Sequence, residues 1–185
     1  MPLPPPDRRT LLRIARAAAA AAARGEQFSA PPPESTALKE PRGAFVTLRR
    51  GGALRGCIGT FEAAAPLYRA VAEMARSAAV GDPRFDPLRP AELPEVEVEI
   101  SVLSPLRPAR AQEVVVGRHG VYLERGPRRG VLLPQVAVEH GWDRETFLEQ
   151  TCRKAGLPPD AWRHATTIYV FEAEVFGEKA GAEGD

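Results

Sequence analysis

The chain reads as an α+β protein built from two similar β-hairpin–helix–strand units with an N-terminal helix. Three observations carry this. Two glycine-led hairpin patterns each precede an amphipathic helix and then a strand of strict alternation. The offset from Gly43 to Pro66 equals that from Gly120 to Asp143, both 23 residues. Ahead of both lies an alanine-rich segment of helical periodicity closed by three prolines.

Residues 7–24 form the first expected helix. Asp7 is placed to cap it, and Gly25 to stop it. Leu11, Leu12, Ala15, Ala18, Ala19 and Ala22 make one apolar stripe. Pro31, Pro32 and Pro33 then force an extended linker. Residues 43–48 read as a strand, Arg49-Arg50-Gly51-Gly52 as a turn and Leu54 to Phe61 as the return strand. A helix follows from Pro66, with Leu67, Val71, Met74 and Ala78 on one face, and Gly81-Asp82-Pro83 ends it. Val96, Val98, Ile100 and Val102 alternate with Glu95, Glu97, Glu99 and Ser101, the period of a half-buried strand.

The second unit repeats this order. Residues 120–123 are a strand, Gly126 to Gly130 a turn and residues 131–133 the return. Asp143 caps a helix carrying Phe147, Leu148, Thr151, Cys152 and Ala155, which stops at Gly156. Tyr169, Phe171, Ala173 and Val175 alternate in one last strand. In this alignment Cys57 falls opposite Pro134 and Ile58 opposite Gln135. Each unit alone has little core, so the two are expected to pack as one body. The expectation is a single domain over residues 1–185, with a core of about 8–177 and flexible tails at 1–6 and 178–185.

Composition narrows the function. A net charge of +1 gives no basic field for nucleic acid, and aromatics are only 6%. Two cysteines, Cys57 and Cys152, cannot make a secreted disulfide framework, so a cytoplasmic location is expected. The apolar run from Ala17 to Ala23 is too short to span a bilayer, and no membrane association is expected.

The chemistry concentrates in Leu54-Arg55-Gly56-Cys57-Ile58-Gly59. Residues two apart on a strand share a face, which would set Arg55 beside the Cys57 thiol. A nearby cation favours the reactive thiolate. The competing reading is a small buried cysteine in a glycine-rich strand. A thiol nucleophile needs a base, and His119, just ahead of the second hairpin, is the candidate among three histidines. Arg55, Arg84, Arg118 and Gln135 are candidate anchors for a carboxylate or phosphate. No CxxC, HExxH, P-loop or dinucleotide spacing occurs, so no metal and no cofactor is expected. Glu95, Glu97 and Glu99 lie on one strand face and read as a solvated face, not an acid–base pair.

Several segments together carry a family resemblance: Gly43 to Leu48, Leu54 to Gly59, Asp82-Pro83-Arg84-Phe85, Glu99 to Ser104, Gly117-Arg118-His119-Gly120, Leu132 to Val136 and Lys154 to Pro158. The chain resembles the AMMECR domain family over roughly residues 8–177, and within it the bacterial and archaeal members of the AmmeMemoRadiSam system type. The resemblance implies an α+β fold of two β-rich units with a cleft holding the Arg55–Cys57 segment. It also implies two partners, a Memo-like protein and a radical S-adenosylmethionine protein. No reaction comes with it. Two functions follow as expectations: a Cys57-dependent enzyme or enzyme component assisted by Arg55 and His119, or a non-enzymatic adaptor that binds a peptide or partner protein.

Overall fold

A computed structural model describes residues 2–178. The described residues form two compact units, residues 2–102 with 174–178, and residues 103–173. Each carries a four-stranded sheet and its own hydrophobic cluster. The expectation that neither unit has much core alone is therefore corrected: Val46, Leu48, Val71 and Ile100 are fully buried in the first, and Val121, Leu123, Phe147 and Leu148 in the second.

In the first unit, α1 spans Pro5–Ala23. It begins two residues before the expected start, because Pro5 and Pro6 suit a first turn whose amides need no partner. The expected free tail at 1–6 is also corrected over residues 3–6. Leu3 is buried, and its N–H donates to the Glu174 carboxylate at 2.9 Å. Glu178, expected in the C-terminal tail, is likewise held, accepting from the Arg16 guanidinium and the Val98 N–H, while Met1 and residues 179–185 lie outside the described residues.

Strands β1 (Ala44–Arg50) and β2 (Ala53–Thr60) form the first hairpin. Its turn is Gly51-Gly52, at φ +56° and +77°, conformations glycine adopts without steric cost. Helix α2 (Leu67–Val80) packs on β1, β2 and α1. Gly56 allows that approach: a Cβ there would lie 2.1 Å from the Ala78 carbonyl oxygen. A 3-10 helix over Pro90–Glu95 leads into β3 (Val96–Leu103).

After a two-residue strand β4 (Arg107–Pro108), the second unit repeats the plan with β5 (Gly120–Arg125) and β6 (Arg128–Leu132). Two short pieces follow, α3 (Pro134–Glu139) and α4 (Arg144–Lys154), and then β7 (Thr167–Phe171). The Asp143 carboxylate accepts the Thr146 N–H at 2.8 Å, the expected cap. Gly130 does for α4 what Gly56 does for α2, since a Cβ there would lie 2.5 Å from the Thr151 carbonyl oxygen.

The strand orders make the repeat explicit. The first sheet runs β2-β1-β3-β8 and the second β6-β5-β7-β4. In each, the first hairpin strand also pairs antiparallel with the strand that follows the helix. The fourth strands are exchanged. β4 continues the chain from β3 yet pairs with β7, and β8 (Ala173–Gly177) continues from β7 yet lies beside β3. The single last strand expected from Tyr169 to Val175 is thus two strands in different sheets. The break is at Glu172, whose N–H donates to Ser104 Oγ at 2.9 Å and whose carbonyl accepts the Ser104 N–H at 2.8 Å. Of the expected inward set only Phe171 is buried; Ile168 and Val170 join the second core, and Phe176 packs on the first while Val175 is exposed.

The equivalence of Cys57 with Pro134 is corrected as well. Cys57 pairs with Thr47, and the matching position is Val131, paired with Tyr122. A bulge in the first hairpin shifts the register between Leu48 and Arg49. Pro134 and Gln135 instead open α3, where proline's missing N–H is tolerated.

Candidate functional site

β2 is the edge strand of the first sheet, and Cys57 sits in its middle, half-buried and unpaired with Cys152. Ladder bonding in an antiparallel pair alternates, so the main-chain groups of Cys57 face away from β1. They are met there by the loop after α2. The Cys57 N–H donates to Asp82 Oδ2 at 2.9 Å, and Arg84 Nη2 donates to the Cys57 carbonyl at 3.3 Å. Asp82 and Arg84 are bound to each other through Nε–Oδ1 at 3.0 Å and Nη2–Oδ2 at 2.8 Å. The pair is asymmetric: the Asp82 side chain is 2% exposed and that of Arg84 56%. The Arg84 guanidinium, with the backbone N–H groups of Cys57 and Arg84, holds the Asp82 carboxyl well below the usual carboxylate range despite its burial. Beside the thiol, the Thr47 hydroxyl donates to Sγ at 3.3 Å from the central strand.

The same face is built for close approach at Gly59. A Cβ there would fall 2.1 Å from the Phe45 ring, which lies over this cross-strand partner. Phe45 also meets Phe61 edge-on, at 4.9 Å between centroids. Glu99 and Ser101 of β3 complete the row across Thr47 and Phe45.

Arg55 does not stand beside the thiol as the period-two reading expects. It is the extra residue of the bulge, between Leu54 paired with Arg49 and Gly56 paired with Leu48. Its guanidinium turns to the 3-10 helix and binds Glu92 through both carboxylate oxygens, each at 3.0 Å. It also donates to the Asp86 carbonyl at 2.9 Å and to that of Pro87. Arg55, followed by the Arg89 N–H, lowers the Glu92 carboxyl from 4.5 to about 2. The guanidinium that meets Cys57 is that of Arg84, at the carbonyl rather than the sulfur.

His119 and Gln135 belong to the second unit. His119 is buried ahead of β5, and its Nδ1 accepts the Val115 N–H at 3.1 Å. Burial, with the neighbouring Arg118 charge, lowers its pKa and keeps the imidazole neutral. Arg118 pairs with Glu172 at 2.7 Å. Gln135 is half-buried in the first turn of α3. Cys152 is fully buried in α4, and burial pushes its thiol pKa up.

Sequence reasoning passed over Asp82, Thr47 and Glu92 as partners of the Arg55–Cys57 segment. Asp82 was visible as a loop residue two before Arg84, but nothing in its spacing says which strand it clamps. Among the described residues no group of three His, Cys, Asp or Glu side chains could hold a metal ion. No helix of the described residues is long and apolar enough to cross a membrane.

Comparison with known proteins agrees with this architecture. The AMMECR1 family model matches residues 12–176. A protein of Methanothermobacter thermautotrophicus is 46% identical over 186 residues, covering 96% of this chain and 97% of that protein. Protein MK0488 of Methanopyrus kandleri is 46% identical over 180 residues, covering 91% and 87%. The crystal structure of an uncharacterized protein, PH0010 from Pyrococcus horikoshii, superposes with a TM-score of 0.82 at 43% identity, covering 91% of this chain and 90% of that one. By sequence along nearly its whole length and by fold, the chain belongs to the AMMECR1 family.

Proposed function

We propose that this protein is a thiol-centred component of a cytoplasmic protein system, in which Cys57 acts on a substrate whose anionic group is held by Arg84. The observation that carries the reading is the Asp82–Arg84 clamp. A cysteine kept only for packing needs no ion pair to fix its main chain on both sides. Here one buried carboxylate and one exposed guanidinium hold the amide and carbonyl of Cys57, while its sulfur stays half-buried and receives the Thr47 hydroxyl. Such support fixes a reactive group in position. Arg84 Nε and Nη2 are engaged by Asp82 and the Cys57 carbonyl, so Nη1, on the exposed side, is the nitrogen that would donate to a carboxylate or phosphate. Arg55 enters as a positioning residue through Glu92. His119 and Gln135 lie in the second unit and take no part in this reading: Nδ1 of the neutral His119 ring accepts the Val115 N–H, so its proton is on Nε2 and no lone pair is free to act as a base.

The family resemblance supplies the partners in this reading, a Memo-like protein and a radical S-adenosylmethionine protein, with the difficult chemistry assigned to the latter. The test compares metabolite profiles of cells lacking the protein, cells carrying the wild type and cells carrying only Cys57→Ser. The expected result is that the Cys57→Ser profile matches the deletion while the variant still co-purifies with both partners. A Cys57→Ser profile identical to wild type overturns the thiol reading and favours the adaptor.

A further inference from the structure

A second site lies in the first unit, between the first half of α1 and the proline run that follows it. We infer that this cleft, about 670 Å³, is a binding site for an organic cation: a protonated amine carried on an apolar body, seated on Asp7.

Asp7 is 8% exposed and is one of the residues that line the cleft. A first-turn aspartate ordinarily accepts backbone N–H groups of its own helix. Here Pro5 and Pro6 occupy the first two helical positions and have no N–H to give. The amides of Asp7 and Arg8 are turned to the Pro4 carbonyl. Among the described residues the carboxylate receives one side-chain donor, the Ser35 hydroxyl at 2.8 Å on Oδ2, and no ion-pair partner. A buried carboxylate offers about four acceptor positions, so most remain open. The helix macrodipole favours negative charge at this end but brings no donor to them.

The cleft is the second, independent observation. Its walls are Ile14, Ala17, Phe28, Leu38 and Pro31 to Pro33, an apolar lining that a rigid proline run holds open. Its volume is that of an ordinary small-molecule site, mostly apolar with few polar groups to set orientation. The charged residues lining it are Asp7, Glu34 and Arg13, one cation against two anions, so the site carries a formal −1. Arg13 is engaged with Thr10 Oγ1 at 3.3 Å. A single carboxylate in apolar surroundings is a poor metal cage, which needs several oxygen, nitrogen or sulfur ligands. An ammonium group supplies three donors for the open positions while its hydrocarbon part covers the walls.

The test titrates n-octylammonium, octan-1-ol and octanoate into the full chain, with calorimetry for affinity and amide NMR shifts for location. The expected result is saturable binding of one n-octylammonium with shifts confined to residues 6–38. Octan-1-ol should bind about tenfold more weakly or less, and octanoate weakest. Asp7→Asn should lower octylammonium affinity to that of the alcohol. Equal affinity for amine and alcohol, unchanged affinity in Asp7→Asn, or shifts elsewhere overturns the site. Should Asp7→Asn fail to fold, Ala17→Phe, which keeps the carboxylate and fills the cleft, decides: retained octylammonium binding overturns the inference.

Discussion

At Gly56 the missing side chain is what lets a helix lie against the edge strand that carries Cys57. The Ala78 carbonyl stands 2.1 Å from where a Cβ would be, and it belongs to backbone that cannot swing aside. Gly56→Ala should therefore destabilise the protein by about 1–3 kcal/mol, read from the urea midpoint. A change within about 0.5 kcal/mol would mean that α2 rides up at little cost. Asp82 governs a different response, the acid limb of stability. Its folded carboxyl lies below its unfolded value of about 3.9, and Glu92 falls from 4.5 to about 2. Groups depressed on folding stabilise fully above their unfolded values and lose that contribution as pH falls through the folded ones. Stability should fall as pH drops below about 4.5 toward 2. Asp82→Asn should cost about 2 kcal/mol near neutral pH, a figure moderated by the exposure of Arg84. It should also lose less than the wild type between neutral pH and about pH 3, measured by urea unfolding at both.

At the scale of elements, capping and hairpin chemistry act locally. Asp143 accepts the Thr146 N–H and starts α4, so Asp143→Ala should lower the midpoint of thermal or urea unfolding. Asp143→Ser should recover most of that. The Gly51-Gly52 turn and the α4 stop at Gly156, at φ +71°, follow from residues adjacent in sequence. For this reason the first hairpin, α2, the Asp143 cap and the Glu97–Val102 alternation are legible in the sequence. The bulge at Arg55 is not. A register shift depends on which residue of the partner strand stands opposite, and it turns Arg55 from Cys57 to Glu92.

For the whole molecule, the exchanged fourth strands decide what can fold alone. Residues 1–102 lack β8, which lies beside β3, and lack Glu178. The Glu178 carboxylate binds the Arg16 guanidinium and accepts the Val98 N–H. A fragment of residues 1–102 should be unfolded by circular dichroism, and a chain that appends residues 173–178 through a glycine linker should regain structure. A cooperative unfolding transition in the shorter fragment would show that β8 and Glu178 are dispensable.

The sequence by itself determined the class of fold, the hairpin–helix–strand repeat, the α4 cap and the family, because each is written in residues close along the chain or in whole motifs. It also singled out Cys57 and Arg84. Tertiary structure alone decided that Asp82 and Arg84 close on the main chain of Cys57, 25 residues before Asp82. It alone decided that Arg55 is engaged by Glu92, and that one apolar alternation from Tyr169 to Val175 is divided between two sheets at Glu172. The physical reason is common to all three. A period-two pattern states which residues can share a face, but both phases of residues 168–171 are apolar, and neither phase names the strand or loop that will lie alongside. That choice is made by pairing between distant segments, here through Ser104 at the strand exchange and Asp82 at the edge of β2.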